Sequence, residues 1–142
     1  MPPSEDLKAK GNEAFRAGKF LEAIHAYSVA IVSTAIYPSL SDTQATLLSN
    51  RSAAFLKIGS YQSARLDAEQ ALTIAPNDQK ARFRLASALF HLGSYRNALN
   101  VLRPMQSTNN EEIQTLIHHV IDCVEENSTG VYDIAKIEAE EL

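Results

Sequence analysis

Residues 59–98, GSYQSARLDAEQALTIAPNDQKARFRLASALFHLGSYRNA, begin and end with the same motif, Gly-Ser-Tyr followed three residues later by alanine. The glycines of the two copies lie 34 residues apart. A third copy, Gly18-Lys19-Phe20 with Ala23, lies 41 residues before Gly59, which is the same period plus seven residues. A fixed period of this length is typical of a helical repeat array, so three copies of one unit are predicted.

Each unit has the spacing of two helices separated by the glycine. Apolar residues recur at three- and four-residue steps, for example at Phe20, Ala23 and Tyr27, which is the period of an amphipathic helix and not of a strand. Small residues allow two helices to approach closely where they cross, and an aromatic residue fills the space beside them. The glycine ends the first helix, because a left-handed backbone costs it little. The predicted helices span residues 4–17, 20–36, 43–57, 61–74, 78–91, 95–106 and 110–127.

Polar residues mark several of the predicted helix starts. Ser41 with Gln44 and Thr108 with Glu111 have the spacing of a capping box. Asp78 follows Pro76-Asn77 and is expected to cap the next helix.

Three segments are predicted to interrupt the helices. Residues 37–42 form the one clear loop, where the seven extra residues fall. Pro104 lies inside the sixth predicted helix and should kink it or end it early, because proline removes a backbone donor and clashes one turn back. Ser128-Thr129-Gly130 is predicted to be a hinge before an acidic amphipathic stretch.

Composition excludes several classes of protein. The 142 residues contain 13 Lys and Arg against 17 Asp and Glu, a net charge of −4, and 45% are hydrophobic. This is the composition of a globular domain, and its acidic balance gives no support to nucleic-acid binding. The apolar runs are too short to span a membrane, and the acidic start of the chain is unlike a secretory signal. A reducing compartment, the cytoplasm with the nucleus as a second possibility, is therefore expected.

No constellation of an enzyme is visible. Cys123 is the only cysteine, so neither an internal disulfide nor a cysteine-based metal site is expected. His118 and His119 are adjacent and would point about 100° apart on a helix, which makes them a poor metal pair. No nucleophile motif or phosphate-binding loop is present. No catalytic residue, metal or cofactor is therefore predicted.

The repeated Gly-x-Phe/Tyr-x-x-Ala pattern, with Pro76 closing the second copy, resembles the tetratricopeptide repeat. The resemblance covers about residues 4–107. It implies an all-α fold, a right-handed α-solenoid of three helix-turn-helix repeats with a capping helix. The implied organisation is a repeat domain over residues 1–127, with repeats at about 4–37, 43–77 and 78–107, a capping helix at about 110–127, and an acidic tail or linker at 128–142.

The first helix of each repeat should line the concave side of such a solenoid. Five polar residues fall on the corresponding stripe, and all are cations or amides with no acid among them: Lys8, Asn12, Asn50, Lys80 and Arg84. Ordinary solvated positions are a weaker explanation for five donors at equivalent sites of three repeats. A net-acidic chain is therefore predicted to carry a cationic strip along one groove.

All five residues match the carboxylate clamp of the co-chaperone members of the family. The resemblance implies binding of the C-terminal Glu-Glu-Val-Asp tail of the 70-kDa and 90-kDa heat-shock chaperones. Lys8, Asn12 and Asn50 would hold the terminal main-chain carboxylate, and Lys80 and Arg84 the aspartate side chain and a backbone carbonyl. Charge-assisted bonds of roughly 1.5–3 kcal/mol each, less the cost of ordering the peptide, predict about micromolar binding.

Four further groove positions are expected to contact the peptide upstream of its terminus. Phe15, Ala53 and His91 would shape apolar pockets, and Lys57 would meet an upstream acid. Two alternatives stay open: a general repeat scaffold that binds another acidic segment, and the docking domain of a larger enzyme. In each case this fragment is expected to be a monomer without catalysis, membrane contact or nucleic-acid binding.

Overall fold

The computed structural model describes the backbone of residues 3–141 and the side chains of residues 5–126. Short 3-10 turns at Pro38–Leu40 and Arg103–Met105 accompany the helices. The α-helices are α1 Pro3–Arg16, α2 Phe20–Thr34, α3 Ser41–Lys57, α4 Tyr61–Ile74, α5 Gln79–His91, α6 Tyr95–Leu102 and α7 Glu111–Glu141. The predicted all-α fold is confirmed.

The helices form a solenoid of three helix-turn-helix pairs, which is followed by α7. Each helix packs against the next one along the chain, and the first helices of the pairs, α1, α3 and α5, also contact one another in that order. These three helices therefore form one continuous wall. The side chains that project from it share one surface, as the sequence predicts.

Glycine ends the first helix of every pair. Gly18, Gly59 and Gly93 have φ of +77°, +78° and +82°. Around Gly18, the Lys19 N–H bonds to the Ala14 carbonyl at 2.8 Å, and the glycine N–H bonds to that of Phe15 at 3.0 Å, which is a Schellman cap. A Cβ built on any of the three glycines meets nothing within 4 Å, so the left-handed backbone, and not lack of space, requires glycine here.

Gly11 is required for a different reason, because there is no space for a side chain at this position. A Cβ at this position would lie 2.5 Å from Cε1 of Tyr27, and Tyr27 is only 2% exposed. The ring fills the gap where α1 crosses α2 and joins the core cluster that contains Ala23, Ala30 and Leu47. The prediction of small residues at the helix crossings is confirmed at this contact.

Both predicted capping boxes are wrong. The 3-10 turn before α3 leads directly into the helix, so Leu40 is the N-cap residue and makes no side-chain cap bond, while Ser41 already lies in the first turn. At α7 the cap is Asn110, whose Oδ1 accepts from the Ile113 N–H at 3.2 Å. Thr108 instead accepts from the Asn110 N–H at 3.4 Å.

The cap at Asp78 is confirmed. Its Oδ1 accepts from the N–H groups of Lys80 at 3.0 Å and Ala81 at 3.2 Å, which satisfies two of the free donors at the start of α5.

Helix α6 ends early, as Pro104 predicts. It stops at Leu102 and passes into the 3-10 turn Arg103–Met105. The turn buries Met105 in the cluster that α6 forms with α7. The proline therefore redirects the chain without opening the core.

The predicted hinge at Ser128-Thr129-Gly130 is wrong, because α7 continues through it to Glu141. One glycine costs a helix about 1 kcal/mol, and the Ala-, Glu- and Ile-rich segment beyond it favours continued propagation. The first turns of α7 bury Ile113, Leu116, Ile117 and Val120 in the cluster that they share with α5 and α6, and the capping role of residues 110–127 stays a prediction. The side chains of residues 127–142 lie outside the described part, so the acidic tail or linker at 128–142 stays a prediction.

Within the part of the chain that the structure describes, no helix has an apolar stretch that could cross a bilayer. The same residues hold no group of three or more His, Cys, Asp or Glu placed to bind a metal ion.

Candidate functional site

Two adjoining cavities open along the wall of α1, α3 and α5. The smaller, of about 140 Å³, lies between α1, α2, α3 and α5, and the larger, of about 960 Å³, between α3, α5 and the first turns of α7. Ala53 and Arg84 line both. The two cavities are therefore one groove with a narrow end and a wide end, referred to below as the terminal cavity and the wide cavity.

A pair of asparagines is locked together in the terminal cavity. Asn12 Oδ1 accepts two bonds, from the Tyr27 hydroxyl at 2.6 Å and from Asn50 Nδ2 at 3.2 Å. With its oxygen occupied, the Asn12 side chain retains its NH2 group as a donor, and Asn50 retains one amide hydrogen, neither of which has a partner among residues 5–126. Both amides can therefore donate to an acceptor in the cavity.

The Tyr27 hydroxyl fixes the orientation of the Asn12 side chain in this pair. Burial raises the pKa of Tyr27, and the positive charges of Arg84 and Arg16 lower it by a smaller amount. The phenol stays protonated at neutral pH and keeps donating to Asn12. The orientation of the Asn12 amide is thus set by a residue on a different helix.

Arg84 brings a positive charge into the junction of the two cavities. Its Nη1 donates to the Ser49 hydroxyl at 2.6 Å, and Ser49 is 2% exposed. Burial lowers the pKa of Arg84, and the more distant Asp78 and Tyr27 oppose that shift; arginine nevertheless carries its charge at neutral pH. Among residues 5–126, no carboxylate lies within ion-pair distance of it.

A half-buried guanidinium that meets no carboxylate among residues 5–126 has a physical consequence. A charge removed from water is costly unless an opposite charge or hydrogen bonds compensate for it. Ser49 supplies one acceptor, and four N–H donors of Arg84 remain. The terminal cavity is therefore suited to bind an anion.

The wide cavity contains both charged and aromatic groups. Lys57 and Lys80 line it and are exposed. His91 lines it as well, stacked on Tyr61 with ring centroids 4.4 Å apart. The His91 Nδ1 lies 2.8 Å from the Ser87 carbonyl, which can only accept, so this nitrogen carries the hydrogen. The imidazole is thereby held flat against the groove wall.

The structure brings eight of the nine predicted site residues to the groove. Asn12, Phe15 and Asn50 line the terminal cavity, Lys57, Lys80 and His91 line the wide cavity, and Ala53 and Arg84 line both. Lys8 lines neither cavity. It is half-buried, one turn before Asn12 on α1.

Sequence reasoning missed other groove residues. Arg16 and Tyr27 line the terminal cavity, and Arg16 could have been found because it follows Asn12 by four residues on the same helix face. Glu111 and Glu112 line the α7 side of the wide cavity. No sequence signal placed them there, because their position depends on how α7 packs.

Comparison with known proteins agrees with this fold. A family model described as tetratricopeptide repeat matches residues 55–118. The small glutamine-rich tetratricopeptide repeat-containing protein 2 of Mycosarcoma maydis is 43% identical over 99 residues, which are 70% of this chain and 26% of that protein. The Hsp70-Hsp90 organizing protein of Triticum aestivum is 39% identical over 95 residues, 67% of this chain and 15% of that protein. The chain thus spans about a quarter or less of the length of these relatives.

A solved structure shares the architecture over most of its length. The NMR structure of the second TPR domain of the human RPAP3 protein, in complex with the HSP70 peptide SGPTIEEVD, matches with a TM-score of 0.72 and 27% identity. The match covers 83% of this chain and 94% of that domain. The chain has three helix pairs in which a glycine ends the first helix, it matches the family model, and it shares this fold. The chain therefore belongs to the tetratricopeptide repeat (TPR) family.

Proposed function

We propose that this chain is a peptide-binding co-chaperone module that holds the C-terminal tail of 70-kDa or 90-kDa heat-shock chaperones by its carboxylates. The observation that carries the proposal is the half-buried Arg84 guanidinium, which meets no carboxylate among residues 5–126 and adjoins the paired amides of Asn12 and Asn50. Such a set of donors is complementary to a chain-terminating anion.

The related proteins support the chemical class of this ligand. The RPAP3 domain carries a peptide that ends in two glutamates, a valine and an aspartate, and the wheat relative is named for Hsp70 and Hsp90. A peptide that ends in aspartate presents two carboxylates within a few ångströms. The groove offers donors at two adjoining positions, which suits that spacing.

The division of roles follows from the two cavities. Asn12 and Asn50 donate to the main-chain carboxylate in the terminal cavity. Lys80 and Arg84 hold the aspartate side chain at the junction, and Lys8 supports the terminus from one turn earlier on α1. The upstream residues then extend from Phe15 in the terminal cavity past Ala53 and along the wide cavity, where they meet Lys57 and His91.

In this role the chain acts by binding and not by catalysis. We place it as a monomer in the compartment of its chaperone partners, the cytoplasm. A general TPR scaffold for another acidic segment, or the docking part of a longer enzyme, would use the same donors but would not require a free terminal carboxylate.

Fluorescence anisotropy with a labelled SGPTIEEVD peptide tests the proposal. The free-acid peptide should bind with a Kd of about 1 μM, and its C-terminal amide should bind at least about tenfold more weakly, because one charge-assisted contact contributes roughly 1.5–3 kcal/mol. Lys80→Gln and Arg84→Gln should each weaken the free acid by about 10- to 150-fold.

Lys10→Gln is the matched control, since it removes an equal charge from an exposed α1 position that lines neither cavity. It should leave the affinity unchanged within about twofold. Equal affinity for the acid and the amide would reject recognition of a terminal carboxylate and favour the general scaffold.

A further inference from the structure

His91 keeps one ring nitrogen available to a ligand in the wide cavity. Its Nδ1 donates to the Ser87 carbonyl at 2.8 Å, so the neutral ring carries its lone pair on Nε2. The side chain is exposed and lines the wide cavity, and no residue among 5–126 forms a hydrogen bond with Nε2. Nε2 is therefore the atom that gains a proton when the imidazole becomes charged.

Two aromatic rings hold this imidazole in place. Tyr61 from α4 stacks on its face, with ring centroids 4.4 Å apart and planes inclined by 16°. Phe90 meets it edge-on, with centroids 5.3 Å apart. A positive charge over the face of a tyrosine ring is favourable. The neighbours therefore fix the plane of the imidazole and also accommodate its protonated form.

We propose that the protonated Nε2 of His91 binds the glutamate three residues before the C-terminal aspartate of the tail, so that affinity for the tail rises as the pH falls. This inference rests on the proposed function and adds an upstream subsite to it. The neutral ring offers a lone pair at Nε2, which repels a carboxylate, whereas the imidazolium offers an N–H donor with a positive charge. Binding of the glutamate is therefore coupled to uptake of one proton at this atom.

The spacing along α5 supports the choice of this glutamate. His91 follows Arg84 by seven residues, which is two turns of the helix or about 10 Å. An extended peptide advances about 3.3 Å per residue, so about three residues separate the groups that meet Arg84 and His91. With the last aspartate at Arg84, the first of the two glutamates in SGPTIEEVD lies at His91.

The other charges that line the wide cavity have both signs. The positive side chains belong to α3 and α5, and the negative ones to the start of α7: Lys57, Lys80, Arg84, Glu111 and Glu112. Among residues 5–126, none of them forms an ion pair with the His91 ring. Further titratable rings contact His91 from α4, or through Phe90 from α6 and α7: Tyr61, Tyr95 and His119. Histidine is the only one of these side-chain types that ordinarily changes charge near pH 6.5, so His119 is the group that the experiment has to separate from His91.

The experiment measures the Kd of SGPTIEEVD at about pH 7.5 and about pH 5.5 by fluorescence anisotropy at constant ionic strength. The Kd should be about threefold lower at the acidic pH, because an exposed ion pair changes an affinity by at most about fivefold. The peptide carboxylates stay charged over this range. For His91→Gln, and for the peptide SGPTIQEVD with the unsubstituted chain, the two Kd values should agree within about 1.5-fold.

Two matched controls should keep the threefold ratio. His119→Gln removes a histidine that lines neither cavity, and the peptide SGPTIEQVD lacks the other glutamate. Calorimetry at about pH 6.5 in two buffers of different ionisation enthalpy gives a second measure. The unsubstituted chain should take up about a third of a proton per bound peptide, and His91→Gln about none.

A ratio that persists in His91→Gln would overturn the role of His91. So would a ratio that is absent from the unsubstituted chain while the free acid still binds more tightly than its C-terminal amide, and in that case the proposed function stands. Loss of the ratio with SGPTIEQVD instead of SGPTIQEVD would overturn the choice of glutamate. Equal binding of the acid and the amide would overturn the proposed function itself.

Discussion

For the substitution Gly11→Ala, helix propensity and tertiary packing predict changes of opposite sign in the free energy of unfolding. Gly11 lies inside α1, where alanine is favoured over glycine by about 1 kcal/mol. A reading of the isolated helix therefore predicts that Gly11→Ala stabilises the protein. The packing against Tyr27 predicts the reverse.

The magnitude follows from the distances at this contact. The new Cβ would lie 2.5, 2.7 and 2.9 Å from Cε1, Cδ1 and Cζ of Tyr27, and a side chain that is 2% exposed has no solvent space to move into. Overpacking of this kind costs about 1–3 kcal/mol. A shifted ring also weakens the 2.6 Å bond to Asn12, worth about 1 kcal/mol. After the gain in propensity, a net loss of about 1–3 kcal/mol remains.

Urea unfolding followed by circular dichroism measures this loss of stability. In a thermal melt, the Tm of Gly11→Ala should be lower by about 3–10 °C. Since Tyr27 orients Asn12, the same variant should bind SGPTIEEVD several-fold more weakly. Ala9→Gly is the propensity control, because Ala9 is exposed on the same helix; it should cost about 1 kcal/mol without changing peptide affinity.

A double-mutant cycle with Tyr27→Leu isolates the clash from other effects. With the ring removed, Gly11→Ala should become neutral or stabilising. If Gly11→Ala alone stabilises the protein by about 1 kcal/mol, the close approach of α1 and α2 at this point does not control the packing, and the reasoning is refuted.

Two other substitutions probe the hydrogen bonds behind the groove. Tyr27→Phe should cost about 1 kcal/mol in urea unfolding and weaken peptide binding several-fold by freeing the Asn12 amide; an unchanged affinity would contradict that role. The folded state raises the pKa of Tyr27 above 10.0. The contribution of Tyr27 to the free energy of unfolding is therefore full below pH 10.0 and is lost as the pH rises through the raised pKa. The Tyr27→Phe variant should lack this loss of stability at alkaline pH. Asp67→Asn removes the negative charge and one of the two oxygens that accept the 2.7 Å bonds from Arg51, and it should cost about 2–4 kcal/mol, since Asp67 is buried and Arg51 is not fully so; a urea midpoint equal to the parent's would refute this.

The repeat pattern is sufficient to predict most of the helices, and the reason is local. The positive φ at Gly18, Gly59 and Gly93 comes from the backbone of each turn alone, and the apolar period marks which face each helix buries. Pro104 likewise ends α6 through its own missing donor. These features need no knowledge of the rest of the molecule.

The errors occur where neighbouring segments compete. Ser41 has a capping side chain, yet the 3-10 turn that precedes it already starts the helix. Asn110 takes the cap expected of Thr108, because both are good acceptors and the geometry of the connection selects between them. Gly130 does not stop α7, since a long helix propagates through one unfavourable residue.

The same distinction between local and tertiary information applies to the groove. The sequence alone predicts the donors along α1, α3 and α5, because residues four apart on a helix share a face. Which of them reach a common cavity is settled by the packing of the helices. Lys8 and Arg16 flank Asn12 at equal spacing, and nothing local distinguishes them. Helix α1 lies against α2 at the contact between Gly11 and Tyr27, and in that packing Arg16 lines the terminal cavity while Lys8 does not. Side-chain convergence between separate helices depends on their crossing geometry, which no single segment encodes.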